Sequence, residues 1–593
     1  AAPTASAPPG ATHTSAQLPK VARMVGGGGA VSSVDRDASQ AGIDVLKAGG
    51  NAADAAVAAA AALGVTEPFS SGIGGGGFFV YYDAKRKKVS TIDGRETAPR
   101  TFTPTVFTNP DGTARNFSDV VSSGLSVGTP GTLATWDLAL KEFGTRSLSY
   151  AMRGGESLAR NGFVADDTFV GQIEDNAARF AMFPATAALY LPGGHPPAVG
   201  SRFTNPGMAK AYAMIRAQGP SVFYRGALGQ AVVGEAQHPH TVPGVSVYPG
   251  QLTMADLRAY RAVPKAPITS TYRGLSVYGM PVPSSGGIAV AEILNLLQAY
   301  DTKTGVPLSD VDEVQYLHRF SEASATAFAD RNRWVGDVPG VPVAQLTSKA
   351  FARQRACLFS PTVAQPRPIP FGDPTGSATG CDTKQARLPE PREGTSTTNL
   401  EVADKWGDVA SYTFTIEQIG GSGITVPGYG LLLNNELTDF DFVPLQAGVP
   451  DPNLPDAGKR PRSSMSPTII LRNGTPWLGV GSPGGATIIT TVAQVISEYV
   501  DRDKGLLAAV AAPRLSSRNG TEQAEPAIYD TDLGTQLRAM GHTLSTTPYI
   551  GVATAIRLLP GRFIAVAEPV RRGGGSAMVV NPSSGKDVSG TSR

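Results

Sequence analysis

Four hydroxyl residues stand in a row inside Glu-Gly-Thr-Ser-Thr-Thr-Asn-Leu, Glu393 to Leu400. A threonine hydroxyl is a poor nucleophile unless a base lies beside it. A chain-terminal threonine carries that base in its own α-amine, whose unperturbed pKa of about 7.7 to 8 suits neutral operation. Inside a chain, such a residue has to be uncovered by cleavage of the preceding peptide bond, here Ser396–Thr397. The flanks suit the event: a Pro/Gly/Thr-rich approach lets the old end swing away, and the alternating residues after Thr397 form a strand that holds the new one. On residue types alone, an ordinary loop entering a strand accounts for the stretch more simply.

Other motifs carry less. Gly124-Leu-Ser-Val-Gly128 fits a G-x-S-x-G elbow, but its surroundings give no strong apolar strand leading into a helix. Gly72 to Gly77 satisfies G-x-G-x-x-G by being nearly all glycine, and it leads into a strand where a dinucleotide site needs a helix N-terminus. Among the histidines His13, His195, His238, His240, His318 and His542, only the pair His238 and His240 is close in sequence. That pair lacks a carboxylate cluster at metal-ligand spacing and reads as a surface turn, so no metal is expected.

These residues must be positioned by a large fold. The chain has 593 residues, 41% hydrophobic and 17% charged, with Gly 69 and Pro 47, which describes a globular protein rich in tight turns. A formal charge of +2 excludes electrostatic steering toward nucleic acid. The run Lys85 to Lys88 reads as a charged hairpin or strand edge. The two cysteines, Cys357 and Cys381, read either as a disulfide worth about 3 kcal/mol or as independent thiols. The small-residue stretch before residue 25 reads as a disordered leader of an exported, secreted or periplasmic protein. No apolar run approaches the length of a membrane span.

Apolar spacing predicts a helix from about Asp37 to Lys47, a buried alanine-rich helix from Ala52 to Leu63, and a hairpin made of FFVYYD and KKVSTID. Helices dominate from about Pro130 to Asp330. Residues 355–396 lose periodicity. TTNLEVADKWGDVASYTFTI then reads as two strands around a turn at Trp406 to Asp408, TIITTVAQVISEYV as a helix, and EPAIYD, VATAIRLL and GRFIAVAEP as strand signals. Strands at both ends and helices between them indicate a layered α/β protein whose sheets draw on both halves of the chain.

The pieces GGNAADAAVAAAAALGVTEPFSSGIGGGGFF, DGRETAP, FADRNRWVGD, LLLNNELTDFDF, KRPRSSMSPTI, GSPGGATIITTV and RRGGG together resemble the gamma-glutamyltransferases (gamma-glutamyl transpeptidases, glutathione hydrolases) of the N-terminal nucleophile hydrolase superfamily, from about Val25 to Gly575. The resemblance implies a four-layer αββα sandwich built from two processed chains, residues 25–396 and 397–593, after cleavage between Ser396 and Thr397. It implies that Thr397 is nucleophile and base, that Thr415 bonds it, and that Gly484 and Gly485 supply oxyanion donors. Arg95 with Ser463 and Ser464 would hold the donor's α-carboxylate, and Glu436 and Asp439 its α-ammonium, with Glu417 beside them. The implied donors are glutathione and other γ-glutamyl amides, the acceptors water, amino acids or peptides. No cofactor is implied.

The sequence departs from the family pattern at three places: Asn399 replaces a usual histidine, Glu417 a small polar residue, and Arg462 an apolar one. Arg462 would bring another cation to the carboxylate site or point to solvent. The segment from Asp441 to Lys459 matches a lid and is short, which would admit bulkier donors. Glu417 keeps a rival reading open, a related N-terminal threonine acylase removing glutaryl groups from β-lactam precursors. A catalytically weak binding relative is the rival of a different class.

Overall fold

The computed structural model describes residues 19–376, 385–394 and 396–583; Cys381 and most of the expected leader lie outside them. Strands are labelled here β1 Arg23–Ser33, β2 Gly76–Asp83, β3 Lys88–Gly94, β4 Val263–Lys265, β5 Ile268–Tyr272, β6 Leu275–Gly279, β7 Thr398–Asp404, β8 Val409–Thr415, β9 Thr468–Arg472, β10 Thr475–Gly481, β11 Thr554–Leu559, β12 Arg562–Ala567 and β13 Ser576–Pro582. They form one antiparallel sheet in the order β4-β3-β2-β8-β7-β1-β12-β11-β10-β9-β6-β5, with β13 also on β1. β1 pairs through Arg23–Gly26 with β12 and through Gly29–Ser33 with β7, so one strand belongs to both halves of the curled sheet. Gly28 and Gly29 make the corner, with φ of +83° and +134°, and the register against β13 shifts between Gly27 and Ala30.

Strand alternation decides which core each residue joins. Leu400, Val402, Ala410, Tyr412 and Phe414 of the β7–β8 hairpin face a core shared with α1 (Arg36–Lys47) and α2 (Ala52–Thr66). Ala403 and Val409 point to the opposite core, shared with α3 (Gly286–Thr304), α4 (Glu313–Trp334) and α5 (Thr487–Val500). The result is the αββα arrangement expected. Helix α2 is buried along its whole length and opens on an Asn51–Asp54 capping box, so the alanine run is a packing surface, as its composition indicates.

The expected helices and the β2–β3 and β7–β8 hairpins are present. EPAIYD is different: it is a short helix, Pro526–Tyr529. Proline at the first helical position is pre-set for a helix, and the Glu525 carbonyl accepts from Ile528 N and Tyr529 N at 2.9 Å each. Ser126 of the discounted elbow is buried and donates to Val121 O and Ser123 O at 3.1 and 2.8 Å. Cys357 is disulfide-bonded. No helix of the described residues is long and apolar enough to cross a membrane.

The Gly72–Gly77 run has a structural task. A Cβ on Gly75 would stand 1.9 Å from the Thr415 carbonyl oxygen, and one on Gly74 would stand 2.0 Å from that of Leu432. Replacing Gly75 by alanine therefore displaces the end of β8. The Gly75→Ala protein is expected to lose about 1–3 kcal/mol or more in denaturant unfolding, whereas Gly171→Ala, which meets nothing within 4 Å, is expected to lose none.

Candidate active site

The β7–β8 register brings the central pair together. Thr398 pairs with Phe414 and Asn399 with Thr413, so the next step sets Thr397 opposite Thr415. Their hydroxyl oxygens are 3.4 Å apart although the residues are 18 positions apart. The Thr397 hydroxyl lies against the carbonyl of Ser396, the bond expected to break, and Thr415 Oγ1 donates to the same carbonyl at 3.2 Å. Arg572, held at φ 53°, donates to the Thr397 carbonyl at 3.2 Å and to Ser70 Oγ at 2.5 Å. Ser396 Oγ donates to Ser70 Oγ at 3.0 Å. Both sides of the Ser396–Thr397 peptide are thus pinned.

Beside Asn399, the space between the sheet halves is polar. Its amide nitrogen donates to Glu401 at 3.0 Å and to Thr554 Oγ1 at 2.7 Å, and its oxygen accepts from Thr413 at 2.5 Å. A Cβ on Gly481 would stand 2.3 Å from the Asn399 oxygen, so β10 carries glycine where β7 carries this side chain. Gly484 and Gly485, at φ +136° and +57°, precede α5; Gly485 and Ala486 line the site cavity. Backbone N–H groups at a helix start suit a developing oxyanion.

Arg95 follows β3 directly, and Glu436 and Asp439 sit on one short 3-10 turn, Glu436–Asp439. Arg95 donates to Glu436, to Asp439 at 2.6 Å, to Pro461 O at 3.1 Å and to Arg462 O at 2.9 Å. The acids expected to share a ligand's ammonium are therefore bound to Arg95 in the uncleaved chain. Glu417 accepts from Asn435 and from Gln418 at 3.3 Å. Burial pushes Glu436 up to about 7 against the pull of Arg95. Burial, and after it Asp439 and Glu436, hold Glu417 well above the usual carboxylate range. Burial likewise raises Asp439, with Arg95 opposing. Neighbouring Glu96 is raised well above its ordinary value by burial and then by Glu436.

Ser463 Oγ accepts from Met465 N at 3.1 Å, and Ser464 Oγ faces the cavity partners Glu393 and Arg331. Arg462 turns inward: it is 2% exposed, with Nη2 3.6 Å from Asp441. The cavity bounded by Thr397, Thr415, Arg95, Glu417, Glu436 and Ser464 holds about 20 Å³, space for roughly one water. Glu393 and Gly394 form part of its wall. Sequence reasoning did not single out Arg331, Arg572, Glu96 or the role of Glu393. Arg331 and Arg572 lie within quoted motifs, FADRNRW and RRGGG, but only tertiary contacts give them partners. The short Asp441–Lys459 segment lies over Asp439, through Asn453 Nδ2 donating to Asp439 O at 2.7 Å.

The family model of gamma-glutamyltranspeptidase matches residues 38–578. The glutathione hydrolase proenzyme of Bacillus subtilis (strain 168) is 37% identical over 555 residues, 93% of this chain and 91% of that one. An acylase ACY 1 proenzyme of Pseudomonas sp. (strain V22) is 34% identical, covering 88% of each chain. The crystal structure of a cephalosporin acylase from Bacillus halodurans superposes with a TM-score of 0.80 at 26% identity, over 96% of this chain and 98% of that one. The chain therefore belongs to the gamma-glutamyltranspeptidase family of N-terminal nucleophile hydrolases, enzymes that hydrolyse or transfer acyl groups at amide bonds.

Proposed function

We propose that the chain is a self-processing N-terminal threonine acylase that removes carboxylate-tipped five-carbon acyl groups from amides, glutaryl side chains first among them. The observation that carries this reading is Thr397 seated on Thr415 with its hydroxyl against the Ser396 carbonyl. In processing, Thr397 Oγ1 attacks the Ser396 carbonyl carbon, the peptide C–N bond breaks, and the nitrogen takes up a proton to become the free α-amine. Water then hydrolyses the Ser396 ester, leaving residues 1–396 and 397–593 as an intramolecularly derived pair. In turnover, Thr397 Oγ1 attacks the donor amide carbon while its amine takes the hydroxyl proton and passes it to the leaving nitrogen. The resulting ester is hydrolysed by water or passed to an acceptor amine. Backbone N–H groups at Gly484 and Gly485 would hold the oxyanion.

The glutaryl reading is supported by the pairing of Glu436 and Asp439 with Arg95, which leaves these acids little charge to offer an ammonium. The likeness to an acylase and to a cephalosporin acylase supports it as well. A second reading, a γ-glutamyltransferase or glutathione hydrolase, is favoured by the likeness to glutathione hydrolase proenzymes. Export, outside the cytoplasm, is the address proposed for either, in keeping with the disulfide at Cys357.

Purified wild-type protein is expected to run as two fragments, the smaller one beginning at Thr397 by N-terminal sequencing. Thr397→Ala is expected to remain a single chain with turnover lowered at least 10³-fold. Full activity from an unbroken Thr397→Ala chain would end the reading.

The two donor classes differ by one ammonium, so pH separates them. Glu436 loses its proton as pH rises through about 7, which favours a cationic head group and leaves glutaryl donors without the gain. The ratio of kcat/KM for γ-glutamyl- over glutaryl-p-nitroanilide is therefore expected to rise severalfold between about pH 6 and about pH 8. A flat ratio would remove Glu436 from donor selection.

A further inference from the structure

Glu393 lies four residues before Thr397, in the segment that cleavage would free. Its carboxylate does not face water. Arg331 of α4 donates to Oε1, Ser464 Oγ donates to Oε2 at 2.7 Å, and Arg462 Nη2 stands 4.0 Å from Oε1. Arg331 is buried; its Nε donates to Ser285 Oγ at 2.8 Å and its Nη2 to Ser464 Oγ at 2.9 Å, while Nη1, which holds Glu393, also donates to Asn332 Oδ1 at 3.0 Å. Arg462 Nε and Nη2 have no hydrogen-bond partner among the described residues. Two guanidinium groups and a hydroxyl thus converge on one carboxylate. Although burial alone would raise Glu393, Arg331 and then Arg462 hold it below the ordinary carboxylate value. In the uncleaved chain Arg95 is engaged elsewhere: its Nε and both terminal nitrogens serve Pro461, Glu436, Asp439 and Arg462.

We infer that Arg331, with Ser464 and Arg462, forms the subsite that binds the acyl donor's carboxylate, and that Glu393 occupies it in the uncleaved chain as an internal stand-in. The inference rests on the proposed cleavage, because release of the segment before Thr397 is what opens the subsite. Once Glu393 leaves, the buried Arg331 guanidinium loses its counter-ion and Arg462 keeps only Asp441, 3.6 Å away, a costly state that an incoming carboxylate relieves. The planar fork of Arg331 also suits a carboxylate better than a lysine would. Arg331 is therefore a specificity-determining residue, and Glu393 a plug that keeps the unprocessed site from taking substrate.

Two experiments test this. In mature enzyme, the ratio of kcat/KM for glutaryl- over pentanoyl-p-nitroanilide, donors that differ by the terminal carboxylate, is expected to fall at least tenfold in Arg331→Met, mainly through KM, and to recover in part in Arg331→Lys. An unchanged ratio overturns the assignment. The second experiment needs no processing or turnover: glutarate is expected to raise the melting temperature of the uncleaved Glu393→Ala/Thr397→Ala chain by several degrees while leaving Thr397→Ala unmoved, and pentanoate is expected to move neither. Glutarate acting on both chains, or on neither, overturns the plug. A glutarate shift in the double variant without glutaryl turnover by the wild type would uphold the subsite and defeat the proposed activity instead. If Arg331→Met does not mature, the glutarate experiment decides.

Discussion

Everything chemical in this molecule hangs on one antiparallel register, that of β7 with β8. With Thr398 opposite Phe414, the residue before the strand falls opposite Thr415 at the end of the partner, and two hydroxyls 18 positions apart come within 3.4 Å. A slip of one residue would turn Leu400, Val402, Tyr412 and Phe414 out of their core, so burial of those side chains fixes where Thr397 points. The glycines of the Gly72–Gly77 run act on the same register from the other side: β2 pairs Gly76 with Thr415, and a side chain at Gly75 would collide with the Thr415 carbonyl.

Charge is the second constraint. Glu96, Glu417, Glu436 and Asp439 are buried around Arg95, and burial raises the proton affinity of each. The uncleaved site therefore gathers four acids of raised proton affinity about one guanidinium. On the other side of Gly394, Arg331 and Arg462 have the reverse problem, and Glu393 answers it. Cleavage before Thr397 would add an amine near the acids and remove a carboxylate from the arginines. Both changes would favour a ligand that carries its own carboxylate.

Much of this was legible in the sequence where local pattern suffices. The alanine-rich helix, the β2–β3 and β7–β8 hairpins and the long helices all announce themselves by period and by their caps or turns. The motif resemblance led to Thr397, Thr415, Arg95, Glu436, Asp439 and Ser464, residues that the fold gathers around one cavity. Local pattern failed where partners lie far along the chain. Arg331 meets Glu393 across 62 positions and Arg572 meets Thr397 across 175, and no spacing rule predicts such pairs. EPAIYD read as a strand from a short apolar run, but Pro526 at a helix start outweighed so short a signal. Arg462, read from sequence as facing either the site or solvent, is drawn inward by Asp441 and Glu393.

The chemistry proposed for Thr397 makes one residue supply both the attacking hydroxyl and the amine that activates it. Mass spectrometry of the enzyme quenched within its first turnovers of a glutaryl amide tests it most directly. An ester-linked acyl group is expected on the peptide whose first residue is Thr397, lost on treatment with hydroxylamine. An acyl group on any other residue, or on a Thr397 still joined to Ser396, would contradict it.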